Sequence, residues 1–133
     1  MKLDLDCIRD VLLTLEGENC YYLDEDGAIA YMAVEIETIA EKLPEYDAPQ
    51  IYYTLKMLDD GGYLQMSERW GDDVLELCEI GSLTYDGHQL LEALRPASVW
   101  DKLKAALKAA GSFSLPLAEE AGLEILRGLI LRD

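Results

Sequence analysis

Several groups of residues in this chain are of types that do chemistry. Asp24-Glu25-Asp26-Gly27 looks like the middle of a calcium-binding loop. With Gly27 set on the glycine of such a loop, Tyr22 takes the first ligand position and Ala33 the bidentate carboxylate position. Neither side chain can ligate calcium, so the stretch reads as a solvated turn. His88 is the sole histidine. Without cysteines in a ligand pattern it makes no zinc site. Ser82 and Asp86 are near in sequence, but they do not amount to a nucleophile and an orienting acid around a base. The expected role of His88 is structural: Gly87 lets a helix approach a hairpin closely, and His88 hydrogen-bonds locally. Asp59-Asp60 and Asp72-Asp73 are adjacent carboxylates, but Mg²⁺ usually needs a phosphate substrate as well, so they read as solvated faces. Gln50, Tyr53, Thr54 and Lys56 fall on the exposed side of a helix. There Gln50 suits a base edge and Tyr53 a phosphate, with Lys56 and Arg69 as the neutralising cations. No catalytic residue, metal or cofactor is expected, and the chain is not expected to be an enzyme.

Charge weighs against the nucleic-acid reading. The 133 residues carry a net charge of −16. Through Leu94 there are 22 acidic and 5 basic residues, and beyond it 5 acidic and 6 basic. Near the candidate DNA-reading helix, Lys42 and Lys56 face Glu41, Glu45, Asp47, Asp59 and Asp60, while Arg69 is flanked by Glu68, Asp72 and Asp73. Affinity for nucleic acid comes mainly from neutralised phosphates, and this balance supplies few. A field of this sign repels polyanions and anionic membranes and favours cationic partners.

Cys7, Cys20 and Cys78 are odd in number and far apart, so neither a disulfide framework nor a zinc site is expected, and Cys7 and Cys78 suit core positions. No apolar run approaches the roughly 20 residues that span a bilayer. The first residues lack the basic and apolar regions of a signal peptide. The expectation is a reduced cytoplasmic protein of one domain, 1–133, with no membrane association.

The elements that must position these residues follow from periodicity and capping. Leu5, Ile8, Val11, Leu12 and Leu15 fall on one face of a helix over Asp4–Leu15, ended by Gly17 and Asn19. Tyr21–Ala33 is ambiguous between classes. Val34-Glu35-Ile36 alternates like a strand, and Thr38-Ile39-Ala40-Glu41 has the capping-box pattern for a short helix to about Leu43. Asp47 is the expected N-cap of the next helix, with Pro49 in its first turn, Ile51, Leu55 and Leu58 buried, and Gly61-Gly62 at its end. Tyr63–Met66 and Val74–Leu77 alternate as two strands, with Arg69–Asp73 as the hairpin tip. Thr84 caps a helix over Tyr85–Leu94, Ser98 one over Val99–Ala110, and Ser114 with Pro116 starts a last one to about Leu131. This is a mainly α fold with a small β-hairpin (α+β): a winged helix-turn-helix body over 1–95 and a C-terminal helical extension over 96–133.

The chain also resembles a known family. Tyr46–Leu58 with Gly61-Gly62-Tyr63-Leu64 is similar to the central helix of the domain of unknown function 2513 family, small bacterial and phage proteins. The opening Met1–Arg9, the stretch Leu83–Arg95, the segment Val99–Lys104 and the tail Gly111–Pro116 fit as well. Around Asn19–Leu43 this chain departs from the family pattern and is longer. The resemblance implies a phage or prophage context and a winged-helix-like body, and it brings no catalytic residues.

The last helix is apolar around most of its circumference, through Leu115, Ala118, Gly122, Ile125, Leu126 and Leu129, widened by Leu117, Leu123 and Leu131. It must be buried on more than one side, against a second copy or within the chain's own core. Trp100, Leu103 and Leu107 suit the other half of either interface. The reading is a non-enzymatic module that presents an acidic surface to a protein partner and forms a homodimer through its C-terminal helices. In its sharper form the acidic face imitates DNA. The alternative is a transcriptional regulator that contacts DNA through Gln50, Tyr53, Lys56 and Arg69.

Overall fold

In the computed structural model of this chain, residues 1–111 and 114–130 are described. They form a mixed α+β structure with six helices and two small antiparallel sheets. The chain divides into two compact units, Met1–Gly87 and His88–Asp133.

In the first unit, α1 (Leu5–Glu16) begins at Asp4, whose carboxylate accepts from the backbone N–H groups of Asp6 and Cys7. That satisfies two of the donors a helix start leaves open. Its buried stripe is Cys7, Ile8, Val11, Leu12 and Leu15. Cys7 thus belongs to the core, while Leu5 is half-buried.

The ambiguous stretch after α1 is a hairpin of β1 (Tyr21–Leu23) and β2 (Ile29–Tyr31), with Tyr21 opposite Tyr31 and Leu23 opposite Ile29. Asp24–Gly27 is its turn. The Asp24 carboxylate accepts from the N–H groups of Asp26 and Ala28, and Gly27 takes a positive φ of 79°. This is an Asx-type turn, in which the aspartate folds its own backbone.

β3 (Val34–Glu35) runs straight into α2 (Ile36–Lys42). The expected capping box is not used. Val34 and Glu35 are held by pairing to Ile80 and Glu79, and Ile36 is already buried as the first helical residue. The helix therefore starts two residues before Thr38, without a side-chain cap. α3 (Ala48–Asp60) does begin at the expected Asp47, whose carboxylate accepts from Gln50 N–H at 2.8 Å. Ile51, Leu55 and Leu58 are fully buried. Gly62, with φ 81°, turns the chain after the helix.

The hairpin of β4 (Leu64–Gly71) and β5 (Val74–Leu83) is longer than expected. Arg69, Trp70 and Gly71 are strand residues and not a tip. The turn is Asp72-Asp73 alone, with φ of 51° and 63°, the positive pair that a two-residue hairpin turn requires. Strand pairing continues past Leu77 to Leu83 with two register irregularities. The three-stranded sheet has the order β3-β5-β4.

Thr84 then caps α4 (Tyr85–Leu94), its hydroxyl accepting from Gly87 N–H. In the second unit, α5 (Ala97–Ala110) starts before the expected Ser98. The Pro96 carbonyl already accepts from the N–H groups of Val99 and Trp100, so proline and not serine stands at the N-cap. Gly111 closes α5 with φ 72°. α6 (Leu115–Ile130) is capped by Ser114, which accepts from Leu117 N–H. The expected end at Leu131 lies outside the described residues.

Candidate interaction site

Of the residues expected to read DNA, Lys56 and Arg69 pair with carboxylates. α3 and β4 bring Tyr52, Lys56, Glu68 and Trp70 together. Tyr52 and Lys56 are four apart and share a helix face, while Glu68 and Trp70 are two apart and share a strand face. The Tyr52 hydroxyl donates to Glu68 at 2.5 Å, and Lys56 lies 3.3 Å from the same carboxylate and 3.6 Å from Asp60. Trp70 meets the Tyr52 ring edge-on, with centroids 5.7 Å apart.

Arg69 follows Glu68 in the strand, so its side chain leaves the opposite face, and it pairs with Glu76 at 3.1 Å. Lys42 pairs with Glu18. Lys42, Lys56 and Arg69 therefore do not form a basic strip. Each is matched by a carboxylate of its own unit. Gln50 is half-buried with its amide 3.5 Å from the Lys2 carbonyl, and Tyr53 is half-buried. Thr54, expected on the surface, is fully buried. Its hydroxyl donates to the Gln50 carbonyl at 2.8 Å and lies 3.4 Å from Cys7 Sγ. A hydroxyl returned to its own helix can enter the core, which polarity alone did not signal.

The four-residue cluster shifts two groups. The Tyr52 hydroxyl, followed by Lys56, holds the Glu68 carboxyl below its ordinary range. Burial and the bond to Glu68 push the Tyr52 phenol up to about 12. Glu68 therefore stabilises the fold above the ordinary carboxylate pKa, and this is lost as pH falls through the lowered folded value. Tyr52 stabilises it below the ordinary phenol pKa, and this is lost as pH rises toward 12. Tyr52→Phe is expected to cost about 1 kcal/mol in urea melts near neutral pH. The gap from wild type should be flat between about pH 5 and 10 and narrow on either side. A gap that does not change with pH would show that this bond is not the source.

Beside this cluster lies an apolar groove of about 500 Å³. Ile36 and Ala40 of α2, Pro49 and Tyr52 of α3, and Trp70 and Val74 of the hairpin line it, together with the acidic Glu37 and Asp73. An expected hairpin tip at Arg69–Asp73 hides this groove, because it takes Trp70 out of the strand. The available signal was the two-residue spacing of Glu68 and Trp70 opposite the four-residue spacing of Tyr52 and Lys56.

His88 is exposed at the start of α4. Gly87 is where the close approach occurs: a Cβ there would overlap the Tyr63 carbonyl oxygen. The Thr84 hydroxyl donates to the Gly62 carbonyl at 2.6 Å, and the Thr84 N–H to the Tyr63 carbonyl at 3.0 Å. The Thr84–Gly87 stretch is thus a clasp at the start of β4. Cys7, Cys20 and Cys78 are free and buried. Burial raises all three thiols, Cys78 to about 11, so they stay protonated and unreactive at neutral pH. Among the described residues, no group of histidine, cysteine and acidic side chains is placed to hold a metal ion.

On α6, Leu115, Ala118 and Gly122 are buried, and a Cβ on Gly122 would lie 2.8 Å from the Ala93 carbonyl oxygen. Ile125, Leu126 and Leu129 are half-buried, and Leu117 and Ile130 are exposed. Half of the expected self-association stripe is therefore already covered.

Residues 2–113 match the family described as "Hypothetical protein (DUF2513)". The chain belongs to this family. It is also 26% identical over 130 residues to an "Uncharacterized protein" of Haemophilus influenzae (strain ATCC 51907 / DSM 11121 / KW20 / Rd), covering 98% of this chain and 96% of that one. No solved structure matches the chain. In this DUF2513 member the Thr84–Gly87 stretch serves as the clasp. No helix among the described residues is long and apolar enough to cross a membrane.

Proposed function

We propose that this chain is a non-enzymatic protein-interaction module, with a winged-helix first unit that meets its partner through an acidic face. Apart from the added β1–β2 hairpin, the order α1, β3, α2, α3, β4, β5, with β3 paired to β5, supports a winged-helix reading in which α3 takes the recognition-helix place. In a DNA reader that helix and hairpin hold cations ready for phosphate. The single observation that carries our reading is that Lys56 and Arg69 are already neutralised by Glu68, Asp60 and Glu76. Moving them to phosphate would strand those carboxylates next to a polyanion. The sharper form of the proposal is that the acidic face occupies the basic groove of a DNA-binding protein, in the phage or prophage setting that the family resemblance implies. Self-association through the open end of α6, at Ile125, Leu126 and Leu129, belongs to the same reading.

One preparation tests these points. At about 50 mM salt, where phosphate attraction is least screened, it is expected to retard no duplex from a randomised pool. It should retain a protein with a basic surface from a lysate of the organism that carries it, and release it at about 0.5 M salt. In light scattering it should run at about twice the chain mass of 14.9 kDa, and Leu126→Asp should lower that value. Tight binding of a particular duplex, with no protein retained, would defeat the reading.

A further inference from the structure

We propose that the groove between α2, the start of α3 and the β4–β5 hairpin is the seat of a cationic amphipathic segment of a partner protein. Its apolar side chains would enter between Tyr52, Trp70 and Ile36, and its Lys or Arg side chains would meet Glu37 and Asp73. This inference rests on the interaction reading and names where the partner sits.

The groove has the physical marks of a binding surface. Its volume of about 500 Å³ has room for more than one apolar side chain. Trp70 is 50% exposed and Val74 is 61% exposed, a large apolar contribution to water for one short hairpin. Isolated exposed apolar residues need no explanation, but adjoining ones that line a concavity with a polar rim mark an interaction site. The aromatic walls are set in advance. Tyr52 is fixed by its bond to Glu68 and by the edge of Trp70, so little side-chain freedom remains to be lost on binding. Tryptophan and tyrosine in such a pocket are the residue types that dominate binding energy.

Charge selects the occupant. The charged residues of the lining are Glu37 and Asp73, with Glu41 one helical turn along α2 and Asp72 in the same turn as Asp73. The nearest cation of the hairpin–α3 face, Lys56, is held by Glu68 and Asp60. A mainly apolar lining that includes acidic side chains and no cation complements a segment that is apolar on one side and basic on the other. A duplex fails on both counts. The first unit of a second copy fails on charge, since it is itself strongly acidic.

The test uses the full chain and a synthetic lysine–leucine peptide with leucines at i, i+3, i+4 and i+7, beside a scrambled peptide of the same composition. The ordered peptide is expected to bind at least about ten-fold more tightly than the scrambled one, as an apolar anchor requires. Amide shifts should cluster on Ile36, Ala40, Tyr52, Trp70 and Val74. Trp70→Ala should weaken the ordered peptide by about ten-fold or more and leave the scrambled one unchanged. Val74→Ser gives a second test at a position too exposed to threaten the fold, and Leu23→Ser on the separate β1–β2 hairpin should change nothing. Equal binding of the two peptides, or shifts away from the groove, would overturn the groove and leave the interaction reading standing. Self-association lost in Trp70→Ala would overturn it in favour of a second copy. Duplex DNA shifting the groove amides would overturn both readings together.

Discussion

Gly87→Ala is expected to lower the stability of the chain by about 2 kcal/mol and its melting temperature by about 8 °C. The new Cβ would overlap the Tyr63 carbonyl oxygen and press on the Leu83 side chain. That oxygen is backbone, and it accepts the Thr84 N–H, so it cannot move aside as a side chain would. Overpacking of this kind costs about 1–3 kcal/mol, and an obstacle of backbone places it at the upper end. Alanine's better helix propensity offsets about 1 kcal/mol. Gly128→Ala in α6 is the matched control, since nothing lies within 4 Å of its added Cβ. There the same substitution should be neutral or slightly stabilising. If both variants melt like the wild type, the close approach at Gly87 is not required.

A second large loss is expected from Leu55→Ala. Leu55 is fully buried on α3, between Ile51 and Leu58 of the same stripe. Removing its side chain forfeits the transfer of the lost atoms and leaves a cavity that packed neighbours only partly fill, a cost of about 2–5 kcal/mol. Against a typical total of about 5–15 kcal/mol, that is a large share. The midpoint of urea unfolding should fall with the slope unchanged. Leu23→Ala, at a 70% exposed position of the β1–β2 hairpin, should stay within about 0.5 kcal/mol. Equal midpoints for the two variants would show that α3 does not anchor the core.

Where local chemistry decides structure, the residues were legible. Asp47 caps α3, Thr84 caps α4 and Ser114 caps α6, because a short polar side chain ahead of an apolar stripe satisfies open N–H groups wherever the chain goes next. The α1 and α3 stripes were legible through their helical spacing. Capping failed where another contact started the helix earlier. Thr38 lost to the pairing of Glu35 with Glu79, and Ser98 lost to the Pro96 carbonyl. Neither competitor appears in a capping pattern.

The candidate site divides the same way. Net charge, the excess of acid in the front part and the poor supply of cations near α3 are properties of the sequence alone, as is the family membership that rests on residues 2–113. Only the tertiary structure decided which carboxylate holds each cation: Glu18 for Lys42, Glu68 and Asp60 for Lys56, Glu76 for Arg69. It also decided that Trp70 stands in a strand facing Tyr52, with a groove beside them. The reason is physical. Charge adds up along a chain whatever its shape, whereas an ion pair or a groove depends on which residues pair in space, and here a turn confined to Asp72-Asp73 leaves Trp70 in the strand, on the face of Glu68 and opposite Tyr52.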